Sequence, residues 1–363
     1  MKGKERVLCA LRRREPDCVP VLPQIWLDHA ARVSGIDPLS IIEQPELGFR
    51  AMLATARHYG LDGFRTFMIY EPRRVRREGD RVYELDMKTG EKIGLVDMEG
   101  GWQARPFEPP HYVQDMDEVA RIPAPPAQSY WDSGRCEHLR QVINEAGEDH
   151  LVVGRAISFT INWLLTQRGD QAMYDLHDQP RLVHALFEKG FEIAIEMTRA
   201  MRAAGIELFY MGDASASCDV ISPRHFREFV FPYYQRYCAE VHRLGALTYV
   251  HICGNQTPLA EMLADTGVDC IEPMDPSGGV DPADMKRRVG HRVALMGGVS
   301  TLTMLRGTPD QVEEEAKGCI LKAGRDGGYI LAAGCMVPRD TPDANLRALV
   351  KTAHEFGRYP LAA

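Results

Sequence analysis

The chain has 363 residues, of which 45% are hydrophobic and 26% charged, and its formal net charge is −8. This length allows two or three domains or one large α/β barrel, while the mixed charges and the short apolar runs disfavour nucleic acid and membranes as partners. The nine cysteines are spread through the chain and odd in number, which argues against a disulfide framework and favours a cytoplasmic location.

The first hundred residues predict a short helix, two buried strands and a different kind of sheet. MKGKERVLCALRRREPD is typical of a charged helix and carries no apolar leader region. CVPVLPQIW (18–26) and DGFRTFMIY (62–70) are apolar runs, as expected of strands covered on both faces. The stretch 73–106 instead predicts antiparallel strands, with a turn signal at Lys88–Gly90. We interpret 73–130 as a β-rich insertion and loop near the N-terminal strands, within the same domain.

From residue 150 onward, short apolar runs alternate with helical patterns. The runs are LVVGRAIS (151–158), IELFYMGD (206–213), ALTYVHIC (246–253), DCIEPMD (269–275), RVALMGG (292–298) and GYILAAGC (328–335). Helices begin at Ser222-Pro223 and at a capping box opened by Thr308. Apolar runs separated by helices indicate βα units and a parallel sheet. With the two earlier runs they total eight strands, so we predict one α/β domain, 1–363, with a (β/α)8 TIM-barrel fold.

An open, doubly wound sheet is the alternative architecture for the same pattern. It is disfavoured because no glycine-rich phosphate loop follows any of the predicted strands.

Ligand-type side chains lie at the predicted C-terminal strand ends, where barrel enzymes carry their reactive groups. His251 and Cys253 are two residues apart on one strand and therefore share a face. Glu272 lies at the end of the next strand, and Cys335 at the end of the last. Three protein ligands and one exchangeable position are typical of catalytic zinc. We predict a metal site of His251, Cys253 and Cys335, with Glu272 as a displaceable fourth ligand.

Each of these residues also has a structural alternative. A histidine and a cysteine at this spacing more often belong to a strand end than to a site, and Cys335 alone fits a core position. Glu272 has the alternatives of capping a helix or pairing with an arginine. Asp213 is predicted to be catalytic together with Glu272, and its alternative is to hold the N-terminus of the next helix. Cys270 is expected to pack.

Several segments together resemble the uroporphyrinogen decarboxylase superfamily over nearly the whole chain. They are RREPDCVPV, SPRHFREFVFPYYQ, HICGN, GVDCIEPMDP, VALMGGVS and GCMVPRDTPDANLRAL. The resemblance implies a (β/α)8 barrel and one of two chemistries. The first is metal-free decarboxylation of a porphyrinogen, whose arginine-rich N-terminal signature is not intact here, since PQIWLDHAARVSG keeps only Arg32. The second is zinc- and corrinoid-dependent methyl transfer.

The methyltransferase branch is similar in its metal signature, H-x-C followed much later by a cysteine. His251, Cys253 and Cys335 match that signature residue by residue. Cobalamin-independent methionine synthase resembles the pattern too and has a glutamate between the cysteines, which supports Glu272. The resemblance thus implies Zn2+ as a cofactor. Because the chain has no D-x-H-x-x-G corrinoid motif, it also implies a corrinoid carried by a separate partner protein.

The resemblance leaves the substrate and the direction of transfer open. The expected small molecule is a methyl donor such as a methoxylated aromatic, or a thiol acceptor, and a homodimer is considered. Met211, Met296, Met336 and Arg155 are predicted to contact the substrate. Further methionines near strand ends are Met68 and Met274, and Arg339 is a second candidate cation for a sulfonated thiol. A cofactor-free decarboxylase is the alternative function.

Overall fold

The structure is a computed structural model that describes residues 1–66, 71–99 and 101–361. The last part of the predicted run 62–70 and the candidate Met68 lie outside these ranges. Within the ranges, no helix is both long enough and apolar enough to span a membrane.

The strands and helices of the described residues follow one another along the chain as given below. The strands are β1 Gly63–Arg65, β2 Arg74–Glu78, β3 Arg81–Leu85, β4 Lys92–Asp97, β5 Gln103–Pro106, β6 Leu151–Arg155, β7 Leu208–Gly212, β8 Leu247–His251, β9 Cys270–Met274, β10 Ala294–Val299 and β11 Tyr329–Ala333. The helices are α1 Gly3–Leu11, α2 Leu27–Ser34, α3 Pro38–Glu43, α4 Pro45–Tyr59, α5 Met116–Arg121, α6 Ala127–Asp132, α7 Arg135–Ala146, α8 Ile161–Arg168, α9 Ala172–Asp178, α10 Pro180–Ala204, α11 Pro223–His225, α12 Phe231–Arg243, α13 Ala260–Asp265, α14 Pro282–Val289, α15 Thr301–Arg306, α16 Pro309–Ala323 and α17 Asp343–Glu355.

A curled parallel sheet in the order β1-β6-β7-β8-β9-β10-β11 forms the centre of the molecule. The predicted α/β class with a parallel sheet is confirmed. The sheet has seven strands among the described residues, and the predicted strand 18–26 is not one of them. That segment forms only isolated bridges with described residues: Cys18 with Arg358, Val21 with Leu331 and Gln24 with Met336. Pro20 and Pro23 interrupt it, and proline has no N–H to continue a ladder.

The segment nevertheless touches both edges of the sheet. Leu22 donates its N–H to the carbonyl of Leu331 in β11 at 3.2 Å, and Asp62, just before β1, donates to the carbonyl of Val21 at 3.1 Å. The N–H of Leu331 in turn donates to the carbonyl of Pro20 at 2.8 Å. The two edge strands are therefore joined through this segment by a few backbone hydrogen bonds, and the sheet curls around an inner face.

Two apolar clusters cover the two faces of the sheet. The inner cluster includes Tyr210, Tyr249, Cys270, Met296 and Ile330, and the outer cluster fills the space between the sheet and the helices. Alternate residues of a strand point to opposite faces, which explains how each buried strand supplies both clusters. Cys270 packs in the inner cluster, as the sequence predicts.

A separate antiparallel sheet, in the order β2-β3-β4-β5, lies in the chain between β1 and β6. The expected turn after β3 forms where Asp86 accepts the N–H groups of Lys88 and Thr89 at 2.9 and 2.7 Å. The strands end at Pro106. The fully described stretch 107–130 instead holds α5 and the beginning of α6, so the β-rich part is shorter than the range 73–130.

Helix α1 covers the N-terminal ends of the parallel strands. Its buried side chains, Val7 and Leu11 among them, join the inner cluster, so they close the space that the curled sheet encloses. Arg6 forms an ion pair with Asp62, whose other oxygen accepts the N–H of Val21 at 2.8 Å. One carboxylate thus ties α1, the segment at Val21 and the start of β1 together.

We expect Leu11→Ala to destabilise the protein by about 2–5 kcal/mol, because truncating a buried leucine leaves a cavity. Leu11 is 1% exposed, whereas Leu321 on α16 is 54% exposed. The matched control Leu321→Ala should stay within about 0.5 kcal/mol of the parent protein. Urea unfolding followed by circular dichroism measures both. Equal effects of the two substitutions would contradict the role assigned to α1.

Candidate metal centre

Three ligand-type atoms converge at the C-terminal ends of β8 and β11. His251 Nε2 lies 3.1 Å from Cys253 Sγ and 3.8 Å from Cys335 Sγ, and the two sulfurs are 3.5 Å apart. Zinc bonds to sulfur and nitrogen place the donors of a tetrahedral site roughly 3.5–3.8 Å from one another. The donor set and its spacing therefore fit a zinc ion with little rearrangement. His251, Cys253 and Cys335 are the predicted ligands that the structure brings together.

Glycines allow the chain segments that carry the cysteines to approach each other. Gly254, after Cys253, has φ +77°, a left-handed conformation that favours glycine. A Cβ on Gly334, just before Cys335, would lie 2.7 Å from the ring of Pro276 in the segment after β9. The absence of that Cβ lets the end of β11 reach the end of β9. This approach brings Cys335 to the His251 and Cys253 pair.

Glu272 lies behind the histidine and not among the clustered ligand atoms. Its Oε2 is 2.9 Å from His251 Nδ1, and both side chains are buried. The Nδ1–H donates to this carboxylate, which leaves the lone pair of Nε2 directed at the two sulfurs. The parallel register pairs His251 with Glu272 across β8 and β9. In this geometry the carboxylate orients the ring instead of adding a fourth donor atom.

A hydrogen bond links the thiols of Cys253 and Cys335. The hydrogen bond from Cys253, together with the nearby imidazole of His251, lowers the pKa of Cys335 to about 4. The same hydrogen bond raises the pKa of Cys253 above its ordinary value. A thiolate is the form of cysteine that binds metals, so the pair presents one ready ligand at neutral pH. The second thiol would release its proton on binding a metal.

Asp213 lies at a helix terminus. Its carboxylate accepts the N–H groups of Ile161 and Asn162 at 3.0 and 2.7 Å, and the hydroxyls of Thr160 and Tyr234. Burial raises the pKa of Asp213, and these hydrogen bonds act in the opposite direction. These hydrogen bonds join the end of β7 to the N-terminus of α8, which precedes β7 in the chain. The sequence-based alternative places Asp213 at the N-terminus of the helix that follows β7. The contacts of Asp213 are structural and do not reach the three ligand atoms.

The candidate methionines occupy different surroundings. Met296 lies in the inner cluster and is fully buried, while Met336 follows Cys335 and is 40% exposed. Met211 and Met274 pack in the outer cluster, on the helix side of the sheet. Met211 faces outward because its neighbour Tyr210 takes the inward position on β7. The structure therefore places only Met296 and Met336 on the side of the metal centre.

The two candidate arginines also differ. Arg155 ends β6, is partly buried, and has its Cζ 5.4 Å from the centre of the Tyr210 ring. That ring lies 5.6 Å from the imidazole of His251. Arg339 pairs with its neighbour Asp340 at 3.4 Å, with both side chains at least one third exposed. The arginine beside the metal centre is thus Arg155.

The sequence reasoning missed Arg65, which ends β1 and is 2% exposed. Its Cζ lies 4.2 Å from the centre of the Tyr210 ring, on the inner side of the sheet. A signal was available, because Arg65 interrupts the apolar run DGFRTFMIY of a strand predicted to be buried on both faces. A charged residue at such a position is unusual unless it serves a site.

The family model for uroporphyrinogen decarboxylase (URO-D) matches residues 94–356, well over half of the chain. The chain belongs to the uroporphyrinogen decarboxylase family. The resemblance carried by its short motifs is thereby confirmed.

Relatives of this URO-D chain include proteins of two named activities. The methylcobamide:CoM methyltransferase MtaA of Methanosarcina barkeri is 34% identical over 176 residues, which are 47% of this chain and 49% of that protein. The chain therefore matches about half the length of this relative. The uroporphyrinogen decarboxylase of Actinobacillus pleuropneumoniae serotype 5b is 23% identical over 98% of this chain and 97% of its own length.

A solved methyltransferase structure from Methanosarcina mazei shares the fold of this URO-D chain. It superposes with a TM-score of 0.77 at 24% sequence identity, covering 98% of this chain and 99% of that one. At this level of identity the superposition supports the architecture and leaves the activity to the residues of the site.

We expect the hydrogen bonds of Asp213 to stabilise the folded protein. Asp213→Ala leaves buried N–H donors without an acceptor, which costs about 1–3 kcal/mol for each unsatisfied group. Asp213→Asn keeps one acceptor oxygen, so its thermal midpoint should fall between those of Asp213→Ala and the parent protein. Scanning calorimetry measures the order of the midpoints. An unchanged midpoint in Asp213→Ala, with loss of activity, would instead indicate a catalytic group.

Proposed function

We propose that this protein is a zinc-dependent methyltransferase that moves a methyl group between a small molecule and the cobalt of a corrinoid carried by a separate protein. The observation that carries the proposal is the convergence of His251 Nε2 with the sulfurs of Cys253 and Cys335. Similarity to methylcobamide:CoM methyltransferases supports the corrinoid partner. The small molecule is a methyl ether, such as a methoxylated aromatic, or a thiol.

The contacts of the side chains indicate which residues would bind the metal and which would orient a ligand. His251, Cys253 and Cys335 would hold the metal, and Glu272 keeps the imidazole turned so that Nε2 meets the sulfurs. When bound, zinc lowers the pKa of a coordinated thiol or polarises the atom that bears the methyl group. Three protein ligands leave one position of a tetrahedral site for the substrate.

We further propose that residues 1–363 form one domain in which the segment 18–26 takes the place of an eighth strand. Its hydrogen bonds to Leu331 of β11 and to Asp62 before β1 support this closure. A closed barrel would direct the strand ends that carry the metal ligands toward one mouth.

Metal-free decarboxylation is the second candidate, favoured by the full-length similarity to uroporphyrinogen decarboxylases. It would require arginines for a porphyrinogen with several carboxylates. Arg32, the remaining member of the N-terminal arginine signature, donates to the backbone carbonyl of Thr341 at 2.9 Å. Decarboxylation also assigns no role to the clustered sulfurs. Release of CO2 from a porphyrinogen, unaffected by chelators, would favour it over methyl transfer.

We expect the purified protein to hold close to one zinc per chain and Cys335→Ser to lose it. The affinity should fall by more than about 100-fold, because changes behind the ligands alone cost about 10–100-fold. The matched control is Cys9→Ser, whose thiol is also partly buried but lies on α1. Metal analysis with a competing chelator measures the effect.

The same two variants test catalysis. Methyl ethers, methylamines and methylated thiols are each incubated with cob(I)alamin and the protein. The absorbance change that accompanies methylcobalamin formation measures the rate of methyl transfer. Cys9→Ser should retain the rate of the parent protein, and Cys335→Ser should lose it. Full zinc content and undiminished transfer in Cys335→Ser would overturn the proposed function.

We expect Glu272→Gln to lower zinc affinity by about 10–100-fold while the coordinating atoms stay the same. The control Glu261→Gln removes an exposed carboxylate paired with Arg288 on the outer helices and should bind zinc normally. X-ray absorption counts the donors. An oxygen donor present in the parent protein and lost in Glu272→Gln would show that the carboxylate is itself a ligand.

A further inference from the structure

Arg65 is a buried cation whose hydrogen-bonding groups are unused. Its side chain is 2% exposed, and Nε, Nη1 and Nη2 have no hydrogen-bond partner among the residues that the structure describes. Burying a charge without a partner is strongly unfavourable, and such charges in proteins are normally paired or bound to a ligand. The residue therefore points to a ligand that supplies the missing negative charge.

Two aromatic rings hold the guanidinium in place. Its Cζ lies 4.2 Å from the centre of the Tyr210 ring and 5.7 Å from that of Trp26. Cation–π contacts at these distances offset part of the desolvation cost. These ring contacts leave the N–H donors of the guanidinium without a hydrogen-bond acceptor among the described residues. An anion can therefore accept hydrogen bonds from them.

A second guanidinium contacts the same two rings. Arg155 has its Cζ 5.4 Å from the centre of the Tyr210 ring and 5.6 Å from that of Trp26. Arg155 thus adds a second positive charge at the rings that contact Arg65, and the attraction of both charges favours an anion there. Arg155 is partly exposed, so the pair extends from the buried interior toward solvent.

The arginine pair adjoins the metal centre through one side chain. The Tyr210 ring lies 4.2 Å from Arg65 Cζ on one side and 5.6 Å from the imidazole of His251 on the other. The nearest carboxylate of that centre, Glu272, is engaged by His251 Nδ1. Tyr210 therefore lies next to both the arginines and the histidine of the metal centre.

We propose that Arg65 and Arg155 bind the carboxylate or sulfonate of the substrate, with Trp26 and Tyr210 as the walls of that subsite. This inference rests on the proposed function of the metal centre and names its substrate class. The substrate is a small organic anion with the acidic group at one end and the thiol or methyl ether at the other. A methoxybenzoate and a mercaptoalkyl acid both have this form.

The subsite accounts for selectivity against neutral molecules. A neutral analogue of the same shape would leave the buried guanidinium of Arg65 without an anion, and a site built for a polar group rejects a substrate that lacks it. Charge-assisted hydrogen bonds to a guanidinium are also stronger than those between neutral groups. Affinity should therefore follow the charge of the small molecule more closely than its size.

Calorimetric titration of the zinc-loaded protein tests this directly. The matched probes are 4-methoxybenzoate against 4-methoxybenzyl alcohol, and 2-mercaptoethanesulfonate or 3-mercaptopropionate against 2-mercaptoethanol. We expect at least one anion to bind about tenfold or more tightly than its neutral counterpart. The carboxylate and sulfonate arms distinguish the two anion types. Equal affinity for anions and neutral molecules would overturn the inference.

Arg65→Met should weaken anion binding by about tenfold or more and leave neutral binding unchanged. Arg65→Lys, which keeps the charge, should be intermediate. The control Arg236→Met removes an arginine paired with Glu188 on the outer helices and should change neither affinity. The thermal midpoint of Arg65→Met without ligand should stay the same or rise, because an unpaired buried charge is removed.

Arg155→Gln is an independent test that does not depend on the packing of β1, and it should lower anion affinity as well. Unchanged anion binding in both Arg65→Met and Arg155→Gln would overturn the subsite. Anion-selective binding without methyl transfer from any compound would uphold the subsite and refute the proposed function. Methyl transfer that is equally fast with neutral and anionic compounds would uphold the proposed function and refute the subsite.

Discussion

The register between β8 and β9 is the constraint on which the metal centre depends. It sets His251 beside Glu272, so that one nitrogen of the ring is held by a carboxylate and the other meets the sulfurs. A shift of one residue would turn every side chain of the strand to the opposite face. Buried apolar residues on both faces of these strands prevent such a shift. The packing of the sheet thereby protects the geometry of the site.

The inner face of the sheet combines an apolar base with a charged upper layer. Helix α1 and the residues around Tyr249 and Met296 form the base, while the arginines, His251 and the two cysteines lie at the C-terminal strand ends. The base is packed as a core, and it supports polar groups that would be unstable by themselves. The clustered thiols, and a guanidinium without a hydrogen-bond partner among the described residues, are held there because the closely packed strands cannot rearrange around them.

The family relationship shows the architecture of the chain. The residues of the site distinguish between the two reactions that the family carries out. One barrel-like frame serves both decarboxylases and methyltransferases among the relatives of this chain, so the frame alone does not decide the reaction. The clustered nitrogen and sulfur atoms favour the metal-dependent branch. Arg65, whose guanidinium has no hydrogen-bond partner among the described residues, lies on β1 and not in the N-terminal segment where the decarboxylase signature would be.

Sequence patterns were sufficient for the parallel α/β sheet and for the ligands His251, Cys253 and Cys335, because strand periodicity and strand ends are local properties of the chain. They were not sufficient for the segment 18–26, where prolines reduce a predicted strand to single bridges. Nor did they show which nitrogen of His251 meets Glu272 or that Asp213 holds α8. Those features depend on which distant segments pack together, and local periodicity carries no information about such partners. The lack of a hydrogen-bond partner for Arg65 among the described residues is of the same kind, since it depends on the neighbours that the fold brings to it.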